Sequence, residues 1–87
     1  MNKNICYQII LQAIRDTASI DVKKVAKAYE WFGTNDFVEI CESADLNPHH
    51  LRESLIKIIN SKNKKKVSED IISVINSLSW QKKVINN

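Results

Sequence analysis

Apolar residues return along this chain every three or four positions, and polar clusters break the pattern four times. That spacing is the 3.6-residue period of half-buried helices, so five helical segments are predicted. The first spans 4–18, with Ile5, Ile9, Ile10, Ala13 and Ile14 on one side and Gln8, Gln12 and Arg15 elsewhere. A second is capped by Asp21 and turns Val22, Val25, Ala26, Tyr29 and Phe32 inward, leaving Lys23, Lys24 and Lys27 outside. Gly33 ends it, as Gly does where a helix leaves through a positive φ.

Thr34 or Asn35 caps a short third segment with Phe37, Ile40, Cys41 and Ala44 inward and Asp36, Glu39 and Glu42 outward. Asn47 caps the fourth, with Pro48 at the first helical position, where its missing N–H costs nothing. The buried stripe of that segment is Leu51, Leu55, Ile58 and Ile59. The run KNKKK at 62–66 then serves as a linker to a fifth segment, capped by Ser68 with Glu69 and Asp70 in its first turn. Ile71, Val74, Ile75 and Leu78 are its inward residues, and the end SWQKKVINN is expected to fray. The fold class is therefore all-α: one domain over 1–87, a small bundle of about five helices.

Composition narrows this further. One Gly and one Pro among 87 residues argue against tight-turned sheets, and 44% hydrophobic content suffices for one core. Cys6 and Cys41 sit inside apolar stripes without metal-ligand spacing, as reduced core thiols of a cytoplasmic protein would. No signal peptide or membrane-spanning run is read, so no membrane partner is expected. Nor are a cofactor, a metal or a small-molecule substrate. An enzyme built on Cys41 with His49 or His50 would lack a third orienting group and a cleft, and its thiol would point inward.

Net charge is +3, but its distribution matters more than its sum. Residues 1–46 carry five basic against seven acidic side chains, and residues 47–87 carry eight against three. An anionic partner is expected on the second half.

The break at Ala44-Asp45-Leu46-Asn47 joins two segments through a turn short enough for a helix-turn-helix, a unit spanning about 36–60. Its inward positions are Ile40, Cys41, Ala44, Leu46, Leu51 and the neighbourhood of Ser54 and Leu55. Asp45 stands where such turns most often carry Gly, and Asp tolerates the left-handed conformation better than most residues.

Residues 31–52 also carry a resemblance. Trp31-Phe32-Gly33-Thr34-Asn35-Asp36-Phe37, Ile40-Cys41, Ala44-Asp45-Leu46-Asn47-Pro48 and Leu51-Arg52 resemble a segment of short phage and prophage proteins from bacteria. In those, Trp is followed by Ser/Thr-x-Asp-Phe, then Val/Ile-Cys, Ala-Gly-Leu-Asp-Pro and Val-Arg. The resemblance implies a helix-turn-helix and a phage-derived regulator, with Asp45 replacing the pattern's Gly.

If residues 48–60 form the helix that reads duplex DNA, His49, His50, Arg52 and Glu53 are the base-edge candidates, because the first turns of such a helix enter the groove. Lys57, Lys62, Lys64, Lys65 and Lys66 are the phosphate candidates. A bland account stands beside this one: exposed histidines decorate helix ends, Glu53 and Lys57 make an ordinary surface pair, and lysine runs are often solvated. Trp31, Tyr29 and Phe32 fit an interhelical anchor better than a base-stacking platform. A homodimer on a two-fold site is expected, with Ile56, Trp80, Val84 and Ile85 as interface candidates. The alternative is a helical protein–protein adaptor working through its fifth segment and apolar tail.

Overall fold

The computed structural model describes residues 2–85, with side chains through residue 77. Five helices follow one another: α1 (Lys3–Thr17), α2 (Val22–Phe32), α3 (Asn35–Ser43), α4 (Pro48–Asn60) and α5 (Lys64–Ile85). No strand occurs among the described residues. The small all-α bundle expected from the periodicity is what forms.

Local chemistry sets most of the boundaries. Asn2, Asp21, Thr34 and Asn47 each turn a side-chain oxygen back onto backbone N–H groups of the first turn, satisfying donors that have no partner inside a helix. Pro48 occupies the first turn of α4.

Two boundaries differ from expectation. α5 begins at Lys64 rather than after Ser68, because the Asn63 side chain accepts from the Lys66 N–H at 3.1 Å and caps the helix there. Lysine is a good helix former, so a capped lysine run extends the helix instead of linking to it. Ser68 is buried, and its hydroxyl donates to the Lys65 carbonyl at 2.8 Å. Glu69 and Asp70 accordingly fall outside the first turn. Gly33 does follow α2, yet its φ of −88° is ordinary right-handed backbone, and the chain turns at the extended Thr34 instead.

α1 packs against α2, α3 and α5, so it needs apolar residues over more than one stripe. Cys6, Tyr7, Ile10, Leu11, Ile14 and Thr17 are buried there, while Ile9 and Ala13 are only partly covered and Ile5 is exposed. On α2 the core takes Ala28 and Phe32, with Tyr29 and Trp31 packed against it; Val22 and Ala26 lie outside. α3 and the corner bury Phe37, Ile40, Cys41 and Ala44 as expected, and α4 buries Leu51, Leu55 and Ile58 but leaves Ile59 exposed. On α5 the covered line is Ser68, Ile72 and Ile75, with Ile71 at its margin and Val74 exposed. The inward stripe there is rotated from the expected one because α5 must face α1 and α4 together. Leu78, Trp80, Val84 and Ile85 fall outside the residues whose side chains are described.

Candidate nucleic-acid interface

The α3–α4 corner is closed by backbone hydrogen bonds. The Leu46 N–H donates to the Cys41 carbonyl at 2.8 Å, and the Asp45 N–H donates to Glu42 at 3.0 Å. This is the paired bonding by which a helix end satisfies its last carbonyls, and it requires a left-handed residue one position past the cap. Asp45 is that residue, with φ of 61°. Lys3 Nζ stands 3.8 Å from its carboxylate, tying the corner to the start of α1. Ala44 is fully buried, so no larger side chain holds the two helices apart at that point.

Residues of the segment 31–52 form one network beneath this corner. Trp31 Nε1–H donates to Asp36 Oδ2 at 2.8 Å, joining α2 to α3. The Phe32 and Phe37 rings meet edge to face at 4.9 Å, and Trp31 lies 5.4 Å from Phe37. Arg52 reaches back from α4: its Nε–H donates to the Phe32 carbonyl at 3.0 Å, and its guanidinium carbon sits 5.2 Å from the centre of the Phe37 ring. Arg52 was expected at base edges; its Nε is engaged instead at the end of α2, on the flank of α4.

The remaining sequence-selected side chains spread over α4 and beyond. His49 and Glu53 lie on the outermost strip, with His49 Nε2 3.1 Å from Glu53 Oε1, and Ile56 and Asn60 continue it by helical register. His50 and Lys57 flank that strip toward α5 and line an α4–α5 groove of about 490 Å³ with Leu46, Val67, Asp70 and Val74. Lys62 is exposed in the loop, and Lys64, Lys65 and Lys66 stand on the first turn of α5.

This run therefore lies past the C-terminal end of α4, away from His49. Thirteen residues at 1.5 Å each put about 20 Å between the two ends of that helix. The strip most exposed to a groove contains one imidazole, one carboxylate, one amide and one isoleucine, so little positive charge faces outward there.

Sequence reasoning missed Arg15. It lies beside Lys65 across a cleft between the end of α1 and the start of α5, in the half of the chain with excess acid. The signal was a contact between helices distant in sequence, which periodicity does not carry.

The cysteines lie in the core, each fully buried. Burial pushes the Cys41 thiol up from 9.0 to about 11; Arg52 pulls it down by less, and Glu42 adds a smaller upward push. A thiol so held stays protonated at neutral pH. Among the described residues, no three His, Cys, Asp or Glu side chains converge as metal ligands do, and no helix is long and apolar enough to cross a membrane.

Comparison with protein-family models, curated proteins and solved structures finds no match to this chain.

Proposed function

We propose that this protein binds duplex DNA through a helix-turn-helix formed by α3 and α4, with α4 in the major groove, and that it acts as a small phage-type transcriptional regulator. The observation that carries the reading is Asp45. A non-glycine residue held at φ 61° closes the α3–α4 turn where such corners need a left-handed residue, and the turn after it presents His49 with its side chain 78% exposed. His49, His50 and Glu53 reach toward base edges, and Lys57 toward a flanking phosphate. The Arg52 Nε–H ties the reader to the end of α2. One short helix covers few base pairs, so a homodimer on a two-fold site supplies the remaining specificity.

A mobility-shift assay with random and genomic duplexes at low and moderate salt tests this. Binding that weakens with salt, and a sequence preference that relaxes in His49→Ala and Glu53→Ala, are the expected results. No shift at low salt rejects the DNA reading. A second reading, a helical adaptor for another protein, is favoured by the apolar α4–α5 groove with Val74 60% exposed on its wall and by Ile56, 56% exposed on α4. Under it, Val74→Ser weakens partner binding and leaves any weak DNA affinity unchanged, because no charge is added.

A further inference from the structure

The outer strip of α4 holds little positive charge, yet the chain has 13 Lys and Arg side chains. Many of them gather at one end of the bundle. There the C-terminus of α1 turns through residues 18–21 into α2, and the first turns of α5 lie alongside. Arg15, Ala18, Ile20, Lys65, Ser68, Glu69 and Ile72 line an open cleft of about 450 Å³ between them. Lys23 and Lys24 follow Ile20 so closely that chain length alone keeps them within about 15 Å of it. Lys62, Lys64 and Lys66 flank Lys65 in the same way, and all these cations are exposed.

Seven cations, Arg15, Lys23, Lys24, Lys62, Lys64, Lys65 and Lys66, outnumber the three nearby carboxylates of Asp16, Asp21 and Glu69. The Asp21 carboxylate accepts the Lys23 backbone N–H, and Asp16 accepts from the Gln12 side chain at 3.0 Å on the side of the α1–α2 groove. Glu69 is the acidic side chain within the cleft itself. Two helix N-termini, those of α2 and α5, lie here together with the C-termini of α1 and α4, so the helix dipoles largely cancel and the field is that of the side-chain cations. Three lysines on the opening turn of α5 oppose its dipole, an arrangement that an anion relieves.

Within this field stand two bare aliphatic side chains, Ile20 at 101% and Val22 at 78% relative exposure. Fixed cations around a small apolar point suit a sugar–phosphate backbone, whose deoxyribose carbons meet the aliphatic groups while phosphates meet the lysines.

We infer that the end formed by Arg15, Ile20, Val22, Lys23, Lys24 and Lys65 is a second DNA contact, gripping the phosphate backbone beside the groove that α4 enters. The inference rests on the DNA reading of α4. The axis of α4 runs from His49 toward this end over about 20 Å, which one rigid duplex spans, each strand placing a phosphate every 3.4 Å.

The test is fluorescence anisotropy with a labelled 25-base-pair duplex over a salt series, on the full chain. Lys23→Gln/Lys24→Gln and Lys65→Gln/Lys66→Gln are each expected to weaken binding roughly tenfold or more near 0.1 M salt and to flatten the log–log salt slope by about 2. Far-UV circular dichroism confirms that both stay folded, as removing cations from helix starts predicts. Ile20→Ser weakens binding with the slope unchanged. Asn4→Glu/Gln8→Glu changes net charge by the same amount on the first turns of α1 and leaves affinity and slope close to wild type.

Unchanged slopes in both lysine variants overturn the second contact while α4 binding stands, as does an equal loss in the charge-matched control. A wild-type chain that binds phosphatidylserine vesicles but no duplex overturns it in favour of a lipid surface. A wild-type chain that binds neither rejects the α4 reading itself.

Discussion

Arg52 and Phe32 are twenty residues apart, and the Arg52 Nε–H donates to the Phe32 carbonyl at 3.0 Å. The carbonyl is the last of α2 and has no partner within that helix, while the guanidinium also covers the Phe37 ring. One side chain thus joins α4 to α2 and α3. Arg52→Ala is expected to lower unfolding free energy by about 1–2 kcal/mol, because it removes a charged hydrogen bond and a cation–π interaction together. Arg52→Lys recovers little, because an ammonium lacks the planar fork that makes both interactions. Urea denaturation of the two variants measures this. Any loss of DNA binding in Arg52→Ala that tracks the stability loss belongs to scaffold rather than readout.

Asp45 carries backbone strain that glycine would not. An L-residue in the left-handed region costs on the order of 1 kcal/mol, reduced for Asp, and Gly gives back part of the gain through greater freedom in the unfolded chain. Asp45→Gly is expected to be neutral to a few tenths of a kcal/mol stabilising, even though Gly offers Lys3 no carboxylate, because an exposed ion pair of this length adds little. Asp45→Val destabilises by more than about 1 kcal/mol, since a β-branched residue is least tolerant of φ near 61°. Thermal unfolding followed at 222 nm ranks the three proteins.

Gly33 is the opposite case. Its φ is −88°, and a Cβ there would meet the Glu30 carbonyl oxygen at 3.5 Å, an ordinary contact. Gly33→Ala should stabilise by about 0.4–1 kcal/mol, because it restricts the unfolded chain and strains nothing folded. A lower melting temperature for this variant would show that the turn needs glycine after all.

The thiols supply a pH prediction. Cys6 and Cys41 are each 0% exposed, so Ellman's reagent at pH 8 should react slowly with native protein and with both thiols at once in urea. The folded Cys41 pKa lies near 11 against an ordinary 9.0, raised first by burial. Between those values the folded chain holds a proton that the unfolded chain has released. The associated stability is present in full below pH 9 and is lost as pH rises toward 11. Burial raises Tyr29 as well, adding a decline of the same sign above its ordinary 10.0. Cys41→Ser should remove the Cys41 part, which denaturant midpoints from pH 8 to 11 would detect.

The segment 31–52 gains a physical meaning in these terms. Trp31 donates to Asp36, Phe37 packs on Phe32 under Arg52, Asp45 turns the chain and Asn47 caps α4. Each of these holds the corner together. His49, His50 and Glu53, the base-edge residues of the proposed DNA reading, are exposed around that frame.

By itself the sequence determined the helices and their caps. Capping and periodicity act over three or four residues, so Asp21, Asn47, Pro48, the buried face of α3 and, Ile59 apart, that of α4 were readable one segment at a time. The same local logic went astray at Ser68, where a cap-forming residue type lies inside a helix already begun by Asn63. Only the tertiary structure decided which of several apolar stripes on α1 and α5 is covered, because each of those helices meets more than one neighbour. It alone brought the Arg52 Nε–H to the Phe32 carbonyl and set Arg15 and Lys65 on the walls of one cleft. A long side chain goes to whatever acceptor another helix brings within reach, and charges add in space rather than along the chain.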